Sequence, residues 1–344
     1  MSTAACVQGS VSCYARGGDI ESRDGIGPRV MGEFIETGRD FMGRAQASGV
    51  LNLKKPSEWS SRKVVDLVEW CLGPVRAGHA GTLDPLASGV LVVCVGPATR
   101  LIEYVQRMRK EYRATVRLGA TSDTDDAEGE VREVAGGAVP DLAEVQAVLP
   151  QFRGEILQTP PRFSAVRVKG RRAYDLARAG QEAELAPRRV TVYGLELIGY
   201  EYPRLELRIE CGSGTYIRSL ARDVGEALGT GGLLEALVRT KVGRFELAGA
   251  VDAETLDREK ALDHLLPALE CVADLPRVEI TGEQLSEIAN GRAIAVEPTA
   301  METATSGAEV ALVLEAGDLV GIAEYDAPAR LLRPHRVFLP SKGS

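Results

Sequence analysis

The sequence predicts a mixed α/β domain with a mostly antiparallel sheet, followed by a small C-terminal module that is rich in β-strands. Residues 112–118 and 205–211 alternate strictly between apolar and polar side chains, as strands with one buried face do. Apolar residues recur at helical spacing after Ser60 and again after Gly214, and short strand patterns follow one another near the C-terminus. The alternating segments favour antiparallel or mixed pairing, and the C-terminal patterns favour a separate, mostly β unit.

The first ordered elements surround a loop. Residues 49–53 predict a short strand, and Ser60 or Ser61 predicts the cap of a helix whose apolar positions follow helical spacing. A glycine-flanked loop at 78–85 then leads into the continuous apolar run 90–95, which indicates a buried strand.

The remaining elements follow the first alternating strand. Residues 123–140 are rich in Asp, Glu and Gly, so we expect a solvated connection there. The apolar set between Ile217 and Leu228 predicts a helix that ends at Gly229. In the C-terminal module, Thr281 begins a capping-box sequence, and strands are expected at 310–314, 319–325 and 336–339.

The chain of 344 residues suits one large domain and one small one. Residues 1–46 have few apolar patterns, so we expect a mobile extension, or sequence upstream of a later start site. The predicted division is a main domain at 47–250, a linker at 251–274 and the C-terminal module at 275–340.

Composition indicates a globular protein without a metal site. No apolar stretch approaches the roughly 20 residues of a membrane helix, and no secretory signal is evident, so a cytoplasmic location without membrane contact is expected. The six cysteines are scattered without a C-x-x-C pair, and there are only three histidines. We therefore expect reduced thiols, no zinc site and no cofactor.

The net charge of −8 is unevenly distributed. From Val251 onward there are 17 acidic and 8 basic residues, so the acidity belongs to the C-terminal part. Residues 151–180 contain seven basic and two acidic residues, and the aromatic residues Phe152, Phe163 and Tyr174 lie among them. Such a composition suits phosphates and unstacked bases, although a charged run is more often only a solvated face.

Asp84 is the first candidate for chemistry. It lies in the run from Gly78 to Pro85, where the following proline disfavours helix and the glycines permit a close approach. A single loop aspartate is more often a cap or a turn residue. Spacing alone therefore leaves both interpretations open.

Four segments of the chain resemble the TruB-type tRNA pseudouridine synthases. Residues 78–89 match the pattern G-H-x-G-T/A-L-D-P-x-A-x-G, and residues 109–113 resemble the K-x-Y segment. Residues 214–219 resemble G-T-Y-I-R-S/T, and residues 237–240 match the L-x-R-x stretch. The resemblance spans roughly residues 49–247 and implies the pseudouridine synthase fold, with a PUA-like C-terminal domain by position and pattern only.

The resemblance implies that a uridine in the tRNA T-arm, at position 55, is isomerised to pseudouridine by a stand-alone enzyme that needs no metal or cofactor. Asp84 would be the essential carboxylate, acting either as a nucleophile at C1′ or as a base at the 2′ position. Arg218 would pair with Asp84, and such a pair is expected to lower the pKa of the carboxylate. A solvated surface arginine is the alternative.

Further site residues come from the same resemblance. Tyr112 would stack on the flipped uracil, and Leu237 would form an apolar wall, although both would look the same as core residues. Tyr216 is either a pocket residue or scaffold. His79 is expected to assist base flipping or substrate binding rather than proton transfer.

The segment 151–180 also resembles the "thumb" insertion of the family, which binds RNA. Its basic side chains are therefore expected to contact the tRNA. That surface is expected to extend to Arg100 and to the cluster Arg107, Arg109 and Lys110. The predicted RNA-binding side chains in the segment are Arg153, Arg162, Arg167, Lys169 and Arg171.

Two positions depart from the family pattern, and two other functions stay open. Lys54 replaces a common aspartate and Glu58 replaces a common glycine, which puts the local turn geometry in doubt. The acidic C-terminal module makes strong RNA binding there doubtful. The alternatives are a guide-RNA-dependent synthase and a non-catalytic tRNA-binding or refolding chaperone. We expect a monomer.

Overall fold

The computed structural model describes residues 47–136, 138–164, 166–168, 170–181, 185–297 and 304–338. The predicted extension at 1–46 and the predicted RNA-binding residue Lys169 lie outside the described residues. None of the helices in the described part of the chain is both long and apolar enough to span a membrane.

Ten of the described strands form one sheet, which is mostly antiparallel as predicted. Its order is β14-β1-β3-β12-β4-β11-β10-β7, with β2 paired to β3 and β13 paired to β12; only the β1–β14 and β3–β12 pairs are parallel. These strands are β1 (Gly49–Lys55), β2 (Ala77–His79), β3 (Ser88–Val95), β4 (Lys110–Leu118), β7 (Gly154–Gln158), β10 (Arg188–Glu201), β11 (Arg204–Cys211), β12 (Gly232–Val242), β13 (Phe245–Glu246) and β14 (Val251–Asp252).

Helices pack on this sheet because each one buries an apolar face. In α1 (Ser61–Leu72), the Ser60 side chain caps the first turn by accepting the Lys63 N–H. In α5 (Ile217–Ala227), the side chains of Leu220 and Val224 are buried against β4, β11 and β12. The other helices of the main domain are α2 (Ile102–Arg107), α3 (Leu142–Val148) and α4 (Ala173–Arg178).

Two short hairpins complete the main domain: β5 (Ala120–Ser122) with β6 (Val131–Glu133), and β8 (Arg167–Val168) with β9 (Arg171–Arg172). The turn between β5 and β6 falls in the segment that was expected to be solvated. That expectation is wrong at Asp126, which is only 2% exposed because the turn folds back onto β12.

The C-terminal module is a five-stranded sheet with one helix. Thr281 and Gln284 form the expected capping box at the start of α6 (Gly282–Ala289). The sheet order is β15-β17-β18-β19-β16, and the last strand begins earlier than expected. These strands are β15 (Arg277–Glu279), β16 (Ile294–Ala295), β17 (Glu309–Val313), β18 (Leu319–Asp326) and β19 (Leu331–Val337).

The segment 251–274, expected to be a linker, is part of the core. It contributes β14 to the main sheet, and it buries Leu256, Cys271 and Val272. One cluster of buried side chains runs continuously from Tyr104 of α2 to Phe338 beyond β19. The C-terminal module is therefore packed firmly against the main domain.

Candidate active site

The loop that carries Asp84 joins β2 to β3 and is anchored at both ends. Ala80 N donates to Val92 O at 2.8 Å, so the loop begins as a continuation of the strand pair. The buried Ser61 hydroxyl lies 2.9 Å from both Leu83 N and Leu83 O, where it accepts from the first and donates to the second. Because both contacts are long-range, α1 fixes the residue that precedes Asp84.

Arg239 of β12 holds the same loop from below. Its side chain is buried, Nε donates to Val90 O at 2.7 Å, and Nη2 donates to Gly81 O at 3.1 Å. Two glycines make this approach possible, since Gly81 has a φ of +133° and a Cβ on Gly89 would lie 2.2 Å from Arg239 O. The sequence analysis used Leu237 of this segment and missed Arg239, whose partners are about 150 residues away in the chain.

The expected pair between Asp84 and Arg218 is present. Arg218 Nε lies 2.9 Å from Asp84 Oδ2, and the arginine side chain is 8% exposed. Arg218 Nη1 also lies 3.4 Å from Oδ2 of Asp126, a second carboxylate that the sequence analysis placed in solvent. Two carboxylates thus share one buried guanidinium, which explains why Asp126 can be buried.

The pKa of Asp84 is raised above its ordinary value, which corrects the expected direction. Partial burial of the Asp84 side chain, which is 40% exposed, has the largest effect, Arg218 opposes it, and the charge of Asp126 adds to it. The ion pair therefore limits a rise in pKa rather than producing a fall. Desolvation depends on the whole site, so a pairwise argument from the sequence missed its weight.

Asp84 opens into a cavity of about 310 Å³, a volume typical of small-ligand sites. Tyr112, Leu237 and Tyr216 line this cavity together with Asp84 and Arg218, so five predicted site residues meet there. Tyr112 and Leu237 are each 8% exposed and give the cavity an apolar, aromatic lining. The described residues hold no cluster of three or more His, Cys, Asp or Glu side chains suited to a metal ion.

Comparison with known proteins identifies the family. The chain matches the TruB family pseudouridylate synthase N-terminal domain over residues 69–217 and the tRNA pseudouridylate synthase B C-terminal domain over residues 218–272. The tRNA pseudouridine synthases B of Dinoroseobacter shibae and Cereibacter sphaeroides are each 44% identical over 306 residues, which cover 88% of this chain and 98% and 99% of the relatives. The chain belongs to the TruB family of tRNA pseudouridine synthases.

Solved structures confirm the predicted fold class. A Cbf5–Nop10–Gar1 complex gives a TM-score of 0.66 at 26% identity, covering 88% of this chain and 87% of the other. An H/ACA ribonucleoprotein bound to a substrate RNA gives 0.65 at 25% identity, with 88% of both chains covered. The protein therefore has the mixed pseudouridine synthase fold with a small C-terminal β domain.

The two departures from the TruB pattern lie in β1 and in the turn that follows it. Lys54 Nζ lies 3.0 Å from Asp252 Oδ2, so the lysine pairs β1 with its parallel neighbour β14. Glu58 adopts a φ of +68°, the left-handed conformation that glycine takes without strain. Its N–H donates at 2.7 Å to the carbonyl of Pro85, the residue after Asp84.

Tyr216 is held by a residue from the thumb-like segment. The Gln158 side chain accepts from Tyr216 N at 2.8 Å and donates to Tyr216 O at 3.0 Å. Gln158 is 1% exposed and ends β7, so its amide is fixed by the sheet. The cavity wall before α5 is therefore positioned by the segment that the sequence analysis assigned to RNA.

Two buried lysines also lie at the site: Lys110, which was expected on the RNA-binding surface, is only 7% exposed, and no sequence pattern singled out Lys55. Lys55 Nζ donates to Pro56 O at 2.9 Å and contacts Pro85 O at 3.4 Å, while Lys110 Nζ donates to Met108 O at 2.6 Å. Burial lowers the pKa of each lysine to about 8. Lys55 lies near Asp84 and Lys110 lines the cavity. Each ammonium group therefore releases its proton more readily than that of an ordinary lysine.

The other predicted binding residues lie outside the cavity. His79 is half-buried in β2, and its buried Nδ1 has no hydrogen-bond partner among the described residues. Arg100 donates to Val337 O at 2.8 Å and lies over the Phe338 ring, so it contacts the C-terminal module. Arg153 donates to Leu195 O, Arg162 is exposed, and Arg171 donates to Gln181; the backbone of Arg167 lies in β8.

Proposed function

We propose that this enzyme acts without a guide RNA and converts uridine 55 in the T-arm of tRNA to pseudouridine, with Asp84 as the essential carboxylate. The observation that carries the proposal is the buried Arg218 guanidinium, which fixes Asp84 Oδ2 at 2.9 Å on the rim of a cavity walled by Tyr112 and Leu237. A carboxylate so oriented at an apolar, aromatic wall suits a flipped nucleotide.

In the proposed reaction, the bond from C1′ to N1 of the uracil breaks, the base turns within the cavity, and C1′ bonds to C5. The C5 proton then leaves and N1 gains a proton, so the reaction is an isomerisation with no net oxidation. Asp84 acts while ionised, either by attack on C1′ or by removal of the 2′ proton. Arg218 keeps the carboxylate charged and oriented.

The Tyr112 ring and Leu237 offer the base a flat surface on which to turn. The predicted RNA-binding arginine and lysine side chains of residues 151–180, together with Arg100 and His79, would hold the folded T-arm around this cavity. We also propose a cytoplasmic monomer. The buried cysteines support a reducing compartment, since Cys94 Sγ and Cys271 Sγ lie 3.9 Å apart and are not bonded.

The test is to incubate the purified protein with unmodified tRNA alone and to map pseudouridine by site. The wild type is expected to modify position 55 without added RNA, and Asp84→Asn is expected to lose at least 10⁴-fold in rate, about the loss when a nucleophile is removed. An inert wild type, or activity only with an added guide RNA, would overturn the proposal. An Asp84→Asn variant that retains tRNA binding and refolding would separate catalysis from a chaperone function.

A further inference from the structure

Helix α5 carries a second, partly buried arginine one turn after Arg218. Arg222 Nη1 lies 2.7 Å from Asp125 Oδ2, and its side chain is 20% exposed. Residues four apart share one helix face, so Arg218 and Arg222 point toward the same turn between β5 and β6. Asp125 contacts Arg222 and Asp126 contacts Arg218, and Arg222 also donates from Nε at 2.9 Å and from Nη2 at 2.7 Å to Asp223 Oδ1 on its own helix.

Asp125 holds this turn in an unusual backbone conformation. Its φ is +61°, in the left-handed region, which a non-glycine residue keeps only where its surroundings determine it. The Asp125 carbonyl accepts from Leu234 N at 3.0 Å, so β12 fixes the backbone while Arg222 fixes the side chain. The next residue, Asp126, is thereby aimed at Arg218.

The same two arginines also bind backbone carbonyls of the thumb-like segment. Arg222 Nη2 donates to Thr159 O at 3.0 Å, and Arg218 Nη2 donates to Phe163 O at 3.0 Å. The turn before Asp126 is tied in as well, since Arg218 Nη1 donates to Thr124 O at 3.1 Å. Through Arg218 and Arg222, helix α5 therefore holds the β5–β6 turn and the thumb-like segment together. Of these two arginines, only Arg218 contacts Asp84.

We propose that the Arg222–Asp125 pair is a positioning pair, which holds the β5–β6 turn so that Arg218 stays oriented on Asp84 during catalysis. This inference rests on the proposed role of Asp84. Neither member touches the substrate cavity, so the pair acts through Arg218 and Asp126. A pair with a stabilising role alone would change the free energy of unfolding without changing the properties of Asp84.

The test variant is Asp125→Asn, because asparagine tolerates the left-handed backbone and removes only the charge. We expect kcat for pseudouridine formation to fall about tenfold, as small displacements of catalytic groups do, with KM for tRNA within twofold. Arg222→Gln should lower kcat as well and should also raise KM, since it loses the Thr159 contact. Arg208→Gln, which breaks a half-exposed pair with Glu196, is the matched control and should leave both constants unchanged.

The pH profile distinguishes positioning from a direct charge effect. Asp84 faces Arg218, Asp126, Lys55 and Glu128. Removing the negative charge of Asp125 would by itself lower the pKa of Asp84, whereas a looser Arg218 raises that pKa. We expect the acid limb of kcat to move to higher pH in Asp125→Asn.

Two results would overturn the inference: an acid limb that moves to lower pH, or wild-type kcat in folded Asp125→Asn. If that variant does not fold, kcat is measured instead for the double variant Arg222→Gln/Asp125→Asn, in which both members of the ion pair are replaced by neutral residues. A wild-type kcat in the double variant would likewise overturn the inference. An inactive wild type would instead refute the proposed function, so the two failures are distinguishable.

Discussion

Arg218 is the residue on which the site depends. Its three nitrogens contact the carboxylates of Asp84 and Asp126 and the carbonyls of Thr124 and Phe163. Only a planar guanidinium offers donors in several fixed directions at once, because a lysine ammonium is a single point charge. Arg218 therefore orients Asp84 and favours its charged form, against the effect of burial.

Replacing Arg218 should separate charge from geometry. Arg218→Lys keeps a positive charge but loses the planar guanidinium with its several fixed donors, so we expect kcat to fall about 10²-fold. Arg218→Gln also removes the charge that opposes the raised pKa of Asp84, so the acid limb of kcat should move further toward higher pH. Rate measurements on tRNA from pH 5 to 9 check both outcomes, and an unchanged acid limb in Arg218→Gln would contradict the second.

Glu58 is a strained residue that supports the catalytic loop. Its φ of +68° costs about 1 kcal/mol relative to glycine. Glu58→Gly should therefore raise the free energy of unfolding by about 1 kcal/mol in urea denaturation, with the Pro85 contact retained. Glu58→Ala keeps the strain and serves as the control; an equal gain in both variants would show that backbone strain is not the cause.

At the scale of elements, β7 and α5 are joined at the cavity by one amide. Gln158 pairs with both backbone groups of Tyr216, the residue before α5 begins. The N–H groups at the start of a helix have no partner within it, and here a side chain distant in sequence accepts from the Tyr216 N–H. The thumb-like segment therefore enters the catalytic domain through the sheet.

Loss of this amide should loosen the cavity wall. Gln158→Met leaves the Tyr216 N–H without its partner, while the Tyr216 C=O keeps its hydrogen bond from Leu220 N at 3.1 Å, so we expect the free energy of unfolding to fall by about 1–3 kcal/mol and KM for tRNA to rise. Urea denaturation and steady-state kinetics measure these effects. The same change at the exposed Gln151 is the stability control, and equal losses at both positions would argue against a specific role for Gln158.

At the scale of the whole molecule, the C-terminal domain is linked by hydrogen bonds to α2, the helix that follows β3. Tyr104 Oη donates to Glu309 Oε1 at 2.6 Å, and Arg336 contacts Glu103 and the carbonyl of Arg100. These polar contacts surround the shared apolar cluster, which accounts for the contact between Arg100 and the module.

Removing the tyrosine hydroxyl should weaken this junction. Tyr104→Phe loses a hydrogen bond to a carboxylate, so we expect the free energy of unfolding to fall by about 1.5–3 kcal/mol in a single transition. Calorimetry distinguishes one transition from two. Tyr193→Phe, at a residue that is 46% exposed, should have little effect, and two separate transitions in the wild type would contradict a firmly joined junction.

The sequence by itself determined the fold class and the family. Alternation in β4 and β11 and helical spacing in α5 are local properties that one segment encodes. The motifs around Asp84, Tyr112 and Arg218 likewise lie in short runs, and the structure brings these residues together around one cavity.

Only the tertiary structure decided what surrounds them. Asp126, Arg239 and Gln158 gain their roles from contacts across 58 to 158 residues of sequence or from burial by a neighbouring strand, which no local pattern records. The raised pKa of Asp84 has the same origin. Desolvation is produced by all the groups that exclude water from the carboxyl, so its balance against Arg218 appears only when the chain is folded.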